Sequence, residues 1–218
     1  MKDRSLASQN PVEAVVWICM RFLKPLILTF LLQSGVIGKE PLLRESFQDG
    51  LSKDWFWGLG TWKAENGILH GFESGPRRHG PVKMRRLALR DAVIECEFRL
   101  IGKATFAGII FNGSQERGHI VHLVMARDHL RILAHPRKGE TVELARVPAK
   151  LDAEAWHRVK LSFQGRLMTA LVDGQSLSAE HTCLEEEKQT FGLGGDSGGP
   201  EGEQAGALEF KNLLITGP

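Results

Sequence analysis

The chain has 218 residues, with 28 Lys and Arg against 26 Asp and Glu, a formal net charge of +2, and a pI near 8.5. That balance argues against the concentrated basic face of a nucleic-acid-binding domain. A hydrophobic content of 42% and a mean hydropathy of −0.16 fit a soluble globular protein with a core, and this length suits one domain, an all-β sandwich included.

In chain order, the first feature reads as an address. Arg21 and Lys24 precede the apolar run 25–32, and small residues follow as far as Gly38. Basic, then apolar, then small is the order of a secretory signal, with Val36 and Gly38 at the positions read by the peptidase and cleavage before Lys39. Met20 stands directly before this signal as the expected true start. The reading is therefore residues 1–38 as N-terminal extension plus signal peptide and 39–218 as a single domain, secreted or periplasmic. The apolar pieces fall short of the ~20 residues a membrane span needs, so no stable span is expected after cleavage. Export permits disulfides; Cys96 and Cys183 are read as buried free thiols or as one bridge.

The mature region reads as short strands divided by turns. Residues 42–47 form a first strand, and Trp55, Phe56 and Trp57 an aromatic cluster in which alternation sends Trp55 and Trp57 one way and Phe56 the other. Asn66-Gly67 is a hairpin turn between 61–64 and 68–71. Residues 92–100 alternate, with Ile94, Cys96, Phe98 and Leu100 on one face and Glu95, Glu97 and Arg99 on the other. Strands follow at 105–111, 118–125, 130–135 and 142–147, then a short helical turn at 151–154.

The last third is the most regular. Trp156, Val159, Leu161 and Phe163 point to the core, Asp173-Gly174 is a two-residue turn, and runs at 191–194 and 207–216 close the chain. About twelve short strands with no long helix predict an all-β sandwich or jelly roll of two antiparallel sheets.

Several segments carry a resemblance: Phe47-Gln48-Asp49-Gly50, Trp62 to Leu69, Ala92 to Leu100, Ala107 to Phe111, Trp156 to Val159, Val172-Asp173-Gly174, Phe191-Gly192-Leu193 and Phe210 to Leu213. In this order they resemble the concanavalin A-like lectins and glucanases. More narrowly they resemble the exported bacterial 3-keto-disaccharide hydrolases, close to laminin-G-like jelly rolls. The resemblance implies a concanavalin A-like fold and a carbohydrate-directed function, with the sugar on a concave sheet. Where enzyme-like members carry acidic and amide side chains on one strand, this chain has Ile120, His122 and Met125. Three functions follow as expectations: a hydrolase or lyase of 3-keto-glycosides, a non-catalytic glycan-binding module, or a cell-envelope adhesion domain.

The candidate residues come from the outer faces. Glu95 and Glu97, two apart on one strand, would stand about 7 Å apart, a spacing compatible with inverting hydrolysis. Elimination from a 3-keto sugar needs one base of tuned pKa, which Glu97 or the neighbouring His122 would supply. Glu95, Arg99 and Trp57 are the expected sugar contacts. The basic run 77–86 suits sulfated or uronic polysaccharide, because guanidinium forks match those anions. Gly195-Asp196-Ser197-Gly198-Gly199-Pro200 spells a serine-protease nucleophile motif, but no upstream histidine context accompanies it, so it reads as a turn. No cofactor is expected; Asp196, Glu201 and Glu203 would be the ligands if calcium bound at that loop. No zinc site is expected, because strict alternation sends His119 and His122 to opposite faces.

Overall fold

The structure is a computed structural model that describes residues 40–74, 79–199 and 206–218. The signal and extension at 1–38, Arg77, Arg78, Glu201 and Glu203 lie outside the described residues. The strands are β1 (Leu43–Glu45), β2 (Trp57–Leu59), β3 (Thr61–Glu65), β4 (Ile68–Phe72), β5 (Val82–Leu89), β6 (Ala92–Gly102), β7 (Phe106–Asn112) and β8 (His119–Ala126). They continue with β9 (His129–Ala134), β10 (Val142–Pro148), β11 (His157–Gln164), β12 (Leu167–Val172), β13 (Gln175–Glu180), β14 (Lys188–Asp196) and β15 (Gly206–Thr216). The one helical element among the described residues is a 3₁₀ turn, Thr182–Glu185, and no helix there is long and apolar enough to cross a membrane.

All strand pairs are antiparallel. One sheet has eight strands in the order β13-β12-β11-β6-β15-β4-β3, with β1 on β15; the other has seven, β10-β9-β8-β7-β14-β5-β2. The alternation of β6 is realised as expected, with Ile94, Cys96, Phe98 and Leu100 buried and the charged residues on the outer side. Asn66-Gly67 and Asp173-Gly174 both take positive φ at both positions (52° and 78°; 47° and 87°), the backbone that a two-residue hairpin turn requires.

The core lies between the sheets. Phe111 of one sheet meets Phe163 of the other edge-on, ring centres 4.9 Å apart at 86°, and Trp55 meets Phe191 at 5.5 Å. Lys188 is fully buried over the Phe163 ring, its Nζ donating to the carbonyls of Arg90 and Leu184. Cys96 and Cys183 are both free and buried, so the bridge is not formed; burial pushes the Cys96 thiol up to about 12.

Three local expectations change. Trp156 lies outside the phase of β11: His157, Val159, Leu161 and Phe163 point inward, and Trp156 takes the outer face beneath Arg99 and Lys211, at 4.6 and 4.0 Å. The buried His157 is satisfied instead by Asp173 Oδ2 at 2.6 Å and the Asp152 carbonyl at 3.0 Å. Trp55 is core while Trp57 is 47% exposed, because the strand begins only at Trp57 and alternation does not reach back to Trp55. Residues 151–154 form a turn, with Glu154 at φ 61°, and not a helix.

Two bulges place the outer-face side chains. Between β7 and β8, Phe111 pairs with Val121 and Asn112 with His119, so Ile120 is skipped. Ile120 and Val121 are both buried, and His119 and His122 emerge on one face, contrary to strict alternation. Between β15 and β6, Lys211 pairs with Glu97 and Leu214 with Glu95, which leaves one extra residue on β15. Asn212 absorbs it at φ 53°, a conformation Asn tolerates better than most residues.

Candidate functional site: a charged groove on the eight-stranded sheet

Register brings the outer-face residues of four strands together. Glu95 of β6 stands between Lys160 of β11 and Leu214 of β15; Glu97 stands between Arg158 and Lys211. Arg44 of β1 lies across from Leu214, which extends the row. Arg44, Glu95, Glu97, Arg158, Lys160 and Leu214 line an open groove of about 690 Å³, with Leu171 and Asn212 on its walls. That volume is in the range of small-ligand sites.

Both carboxylates are partnered. Glu95 Oε1 is 2.8 Å from Lys160 Nζ; Glu97 Oε2 is 3.2 Å from Lys211 Nζ, and Glu97 Oε1 accepts from Asn212 Nδ2 at 2.9 Å. The Asn212 hydrogen bond, with Lys211 and Arg158 nearby, holds the Glu97 carboxyl below the ordinary carboxylate range. A group kept charged in this way is a hydrogen-bond acceptor and a poor proton donor. Arg44 and Arg158 are exposed, and among the described residues neither is in an ion pair. Leu171, 40% exposed, adds an apolar wall.

Beyond the groove the same face continues as a fixed network. Glu209 is 6% exposed and lies between Arg99, which it pairs at short range, and His70 Nδ1 at 2.9 Å. Arg99 and Lys211 both overlie Trp156, so Trp156 joins this network to Glu97.

The structure brings Glu95, Glu97 and Arg99 onto one face and separates them from His122. His122 belongs to β8, on the outer face of the other sheet, so the core lies between it and Glu97. The expectation of neighbouring bases is corrected on this point: β6 and β8 follow each other closely in sequence but belong to different sheets. Burial and the adjacent His135 and His119 push His122 down to about 3. Trp57 is on the edge of the seven-stranded sheet, opposite Met84 and away from the groove.

In the protease-like motif, Gly195 and Asp196 end β14, Ser197 to Gly199 bend away from it, and Pro200 lies outside the described residues. Ser197 is fully buried and its Oγ accepts from the Glu73 backbone N–H at 2.9 Å. Asp196 accepts from the Thr105 hydroxyl at 2.6 Å and from the Gly198 N–H at 2.8 Å.

Sequence reasoning missed Arg44, Lys211 and Asn212. Their roles depend on the pairing of β1 with β15 and on the β15 bulge, neither of which alternation reveals. Arg158 and Lys160 were within reach, since they alternate with the buried Val159 and Leu161.

Comparison with known proteins agrees with this architecture. Residues 105–206 match the laminin G domain family. Among solved structures, the carbohydrate binding module CBM66 from Bacillus subtilis aligns at a TM-score of 0.55 and 13% identity, over 72% of this chain and 91% of that one. The carbohydrate recognition domain of Emp46p aligns at 0.58 and 9%, over 81% and 97%. Lectin UEA-II, solved with galactose, aligns at 0.55 and 10%, over 81% and 99%. No curated protein matches by sequence. The fold is thus a concanavalin A-like, laminin-G-like jelly roll.

Proposed function

We propose that this domain binds glycan, without cleaving it, in the groove between Glu95, Glu97, Arg158 and Arg44. The carrying observation is that both carboxylates are already partnered by lysines, and Glu97 by Asn212 as well, while two exposed guanidinium groups flank them unpaired. Partnered carboxylates and an amide accept and donate hydrogen bonds to sugar hydroxyls. Leu171 and Leu214 meet the C–H face of a ring, and the free guanidinium forks favour a uronate or sulfate. The similar folds of a carbohydrate binding module and two lectin domains support a carbohydrate ligand. Export, read from residues 21–38, would place the domain where such polysaccharides occur.

The test is calorimetric titration of the full chain with oligogalacturonate, a heparin-derived tetrasaccharide and a cello-oligosaccharide. Arg158→Ala and Arg44→Ala are run beside it, together with a turnover assay on 3-keto-glucosides. Binding of an acidic oligosaccharide, weakened about tenfold or more in Arg158→Ala, is the expected result. Absence of binding to all three, or turnover of a 3-keto-glucoside that Glu97→Gln abolishes, would overturn the reading. The second outcome would return the domain to the 3-keto-glycoside hydrolases it resembles, with Glu97 as the base.

A further inference from the structure

The outer face of the seven-stranded sheet, across the sandwich from the groove, carries three histidines in mutual contact. His119 and His122 come from β8, on one side because the ladder skips Ile120. His135 directly follows β9, and its backbone N–H returns to the Ile120 carbonyl at 2.9 Å, which fixes it beside the bulge. The ring centres are 4.7 Å apart for His119 and His122, 4.4 Å for His122 and His135, and 5.4 Å for His119 and His135.

Those separations match what one metal ion imposes. With a metal–nitrogen distance of about 2.1 Å and a ring centre about 1.1 Å further out, two imidazoles on one ion lie about 4.5 Å apart at a right angle. They lie about 5.2 Å apart at the tetrahedral angle. The second observation concerns the ring nitrogens. His119 Nδ1 is 2.7 Å from Asn112 Oδ1, and His135 Nδ1 is 3.0 Å from Thr141 Oγ1. The buried Nε2 atoms of His122 and His135 have no hydrogen-bond partner. A metal-bound histidine ordinarily shows this division, one nitrogen on the ion and the other held by a protein acceptor, and of the three His135 shows both halves of it. The nearby Arg117 guanidinium has its charge offset by Glu186, at 2.7 and 3.0 Å.

We propose that His119, His122 and His135 bind a divalent transition-metal ion, zinc or copper, through their Nε2 atoms. The fourth position opens to solvent beside the exposed His119. An all-imidazole set suits these ions over calcium or magnesium. As they stand, no three His, Cys, Asp or Glu side chains among the described residues are arranged to hold a metal ion. Closure therefore requires the rings to turn about χ2, a soft torsion in histidine whose axis runs nearly through the ring centre. The spacing of the centres, set by the backbone and χ1, is kept during that rotation.

The experiment titrates the full chain with zinc against a chromophoric chelator, and with cobalt followed by visible absorption. One equivalent of zinc should bind, and cobalt should give the ligand-field bands of a four-coordinate nitrogen site. His122→Ala and His135→Ala should each weaken zinc binding by about tenfold or more. His119→Ala, at the exposed rim, should do the same with an unchanged metal-free melting curve. His181→Ala, in the 3₁₀ turn, should leave zinc binding unaltered. No saturable uptake of zinc or cobalt, or uptake that survives both His119→Ala and His135→Ala, would overturn the proposal. Glycan titration of His119→Ala keeps this result separate from the groove, which it should leave unchanged.

Discussion

Asn212 Nδ2 donates to Glu97 Oε1 at 2.9 Å across 115 residues of sequence, and the bulge that permits this also leaves Asn212 at φ 53°. Asn212→Gly keeps that backbone at no steric cost and removes the donor. The Glu97 carboxyl, held below the ordinary range mainly by this bond, should then titrate at higher pH. Carbon-13 NMR of the Glu97 carboxyl against pH reads the shift directly. An unmoved titration curve would assign the depression to Lys211 and Arg158 instead.

Arg117 and Glu186 form a two-point ion pair, and the arginine side chain is only 5% exposed. Glu186→Gln should cost about 2 kcal/mol at neutral pH, because a buried guanidinium loses a charged acceptor. Glu186 has its carboxyl held below the usual value of 4.5. Such an acid contributes stability above 4.5 that is lost as pH falls through its folded value. The gap between wild type and Glu186→Gln in urea midpoint should therefore shrink with acidification. A constant gap would mean that the loss is one of shape and not of charge.

Burial pushes the Lys188 ammonium down to about 8, from 10.5. Between those values the unfolded chain holds a proton that the folded chain has released, so stability should rise with pH across that window. Lys188→Met keeps an apolar stem against Phe163 and has nothing to titrate. Urea midpoints at about pH 8 and about pH 10 should show the rise in wild type and a smaller one in the variant. Equal slopes would trace the rise to other groups.

Phe163 packs edge-on against Phe111 and also carries the Lys188 ammonium on its face, 4.2 Å away. Phe163→Ala should cost about 3–5 kcal/mol, since the two sheets cannot collapse into the space. Chemical denaturation gives the value, and a loss under about 1 kcal/mol would mean that the core repacks readily.

The sequence by itself determined the class of fold. In β6, β11 and β12 apolar residues recur at every second position, and that period buries one face whichever strand pairs with which. The Asn-Gly and Asp-Gly turns were equally legible, because positive φ at both central residues is a local demand. It also put Glu95, Glu97 and Arg99 on one outer face, where the structure places them.

Tertiary structure alone decided what those residues face. Arg44 reaches the groove because β1 pairs with β15, a contact between residues 43–45 and 213–215, and Asn212 because of the β15 bulge; no local pattern encodes either. Trp156 was misread because it stands one residue before β11 begins, where alternation no longer governs. The histidine cluster had the same origin: a single skipped residue, Ile120, inverts the phase of β8 and turns two separated histidines into neighbours. Periodicity fixes faces only while the ladder is regular. A bulge depends on how a partner strand fits the core, and that fit exists only once the sheets have packed.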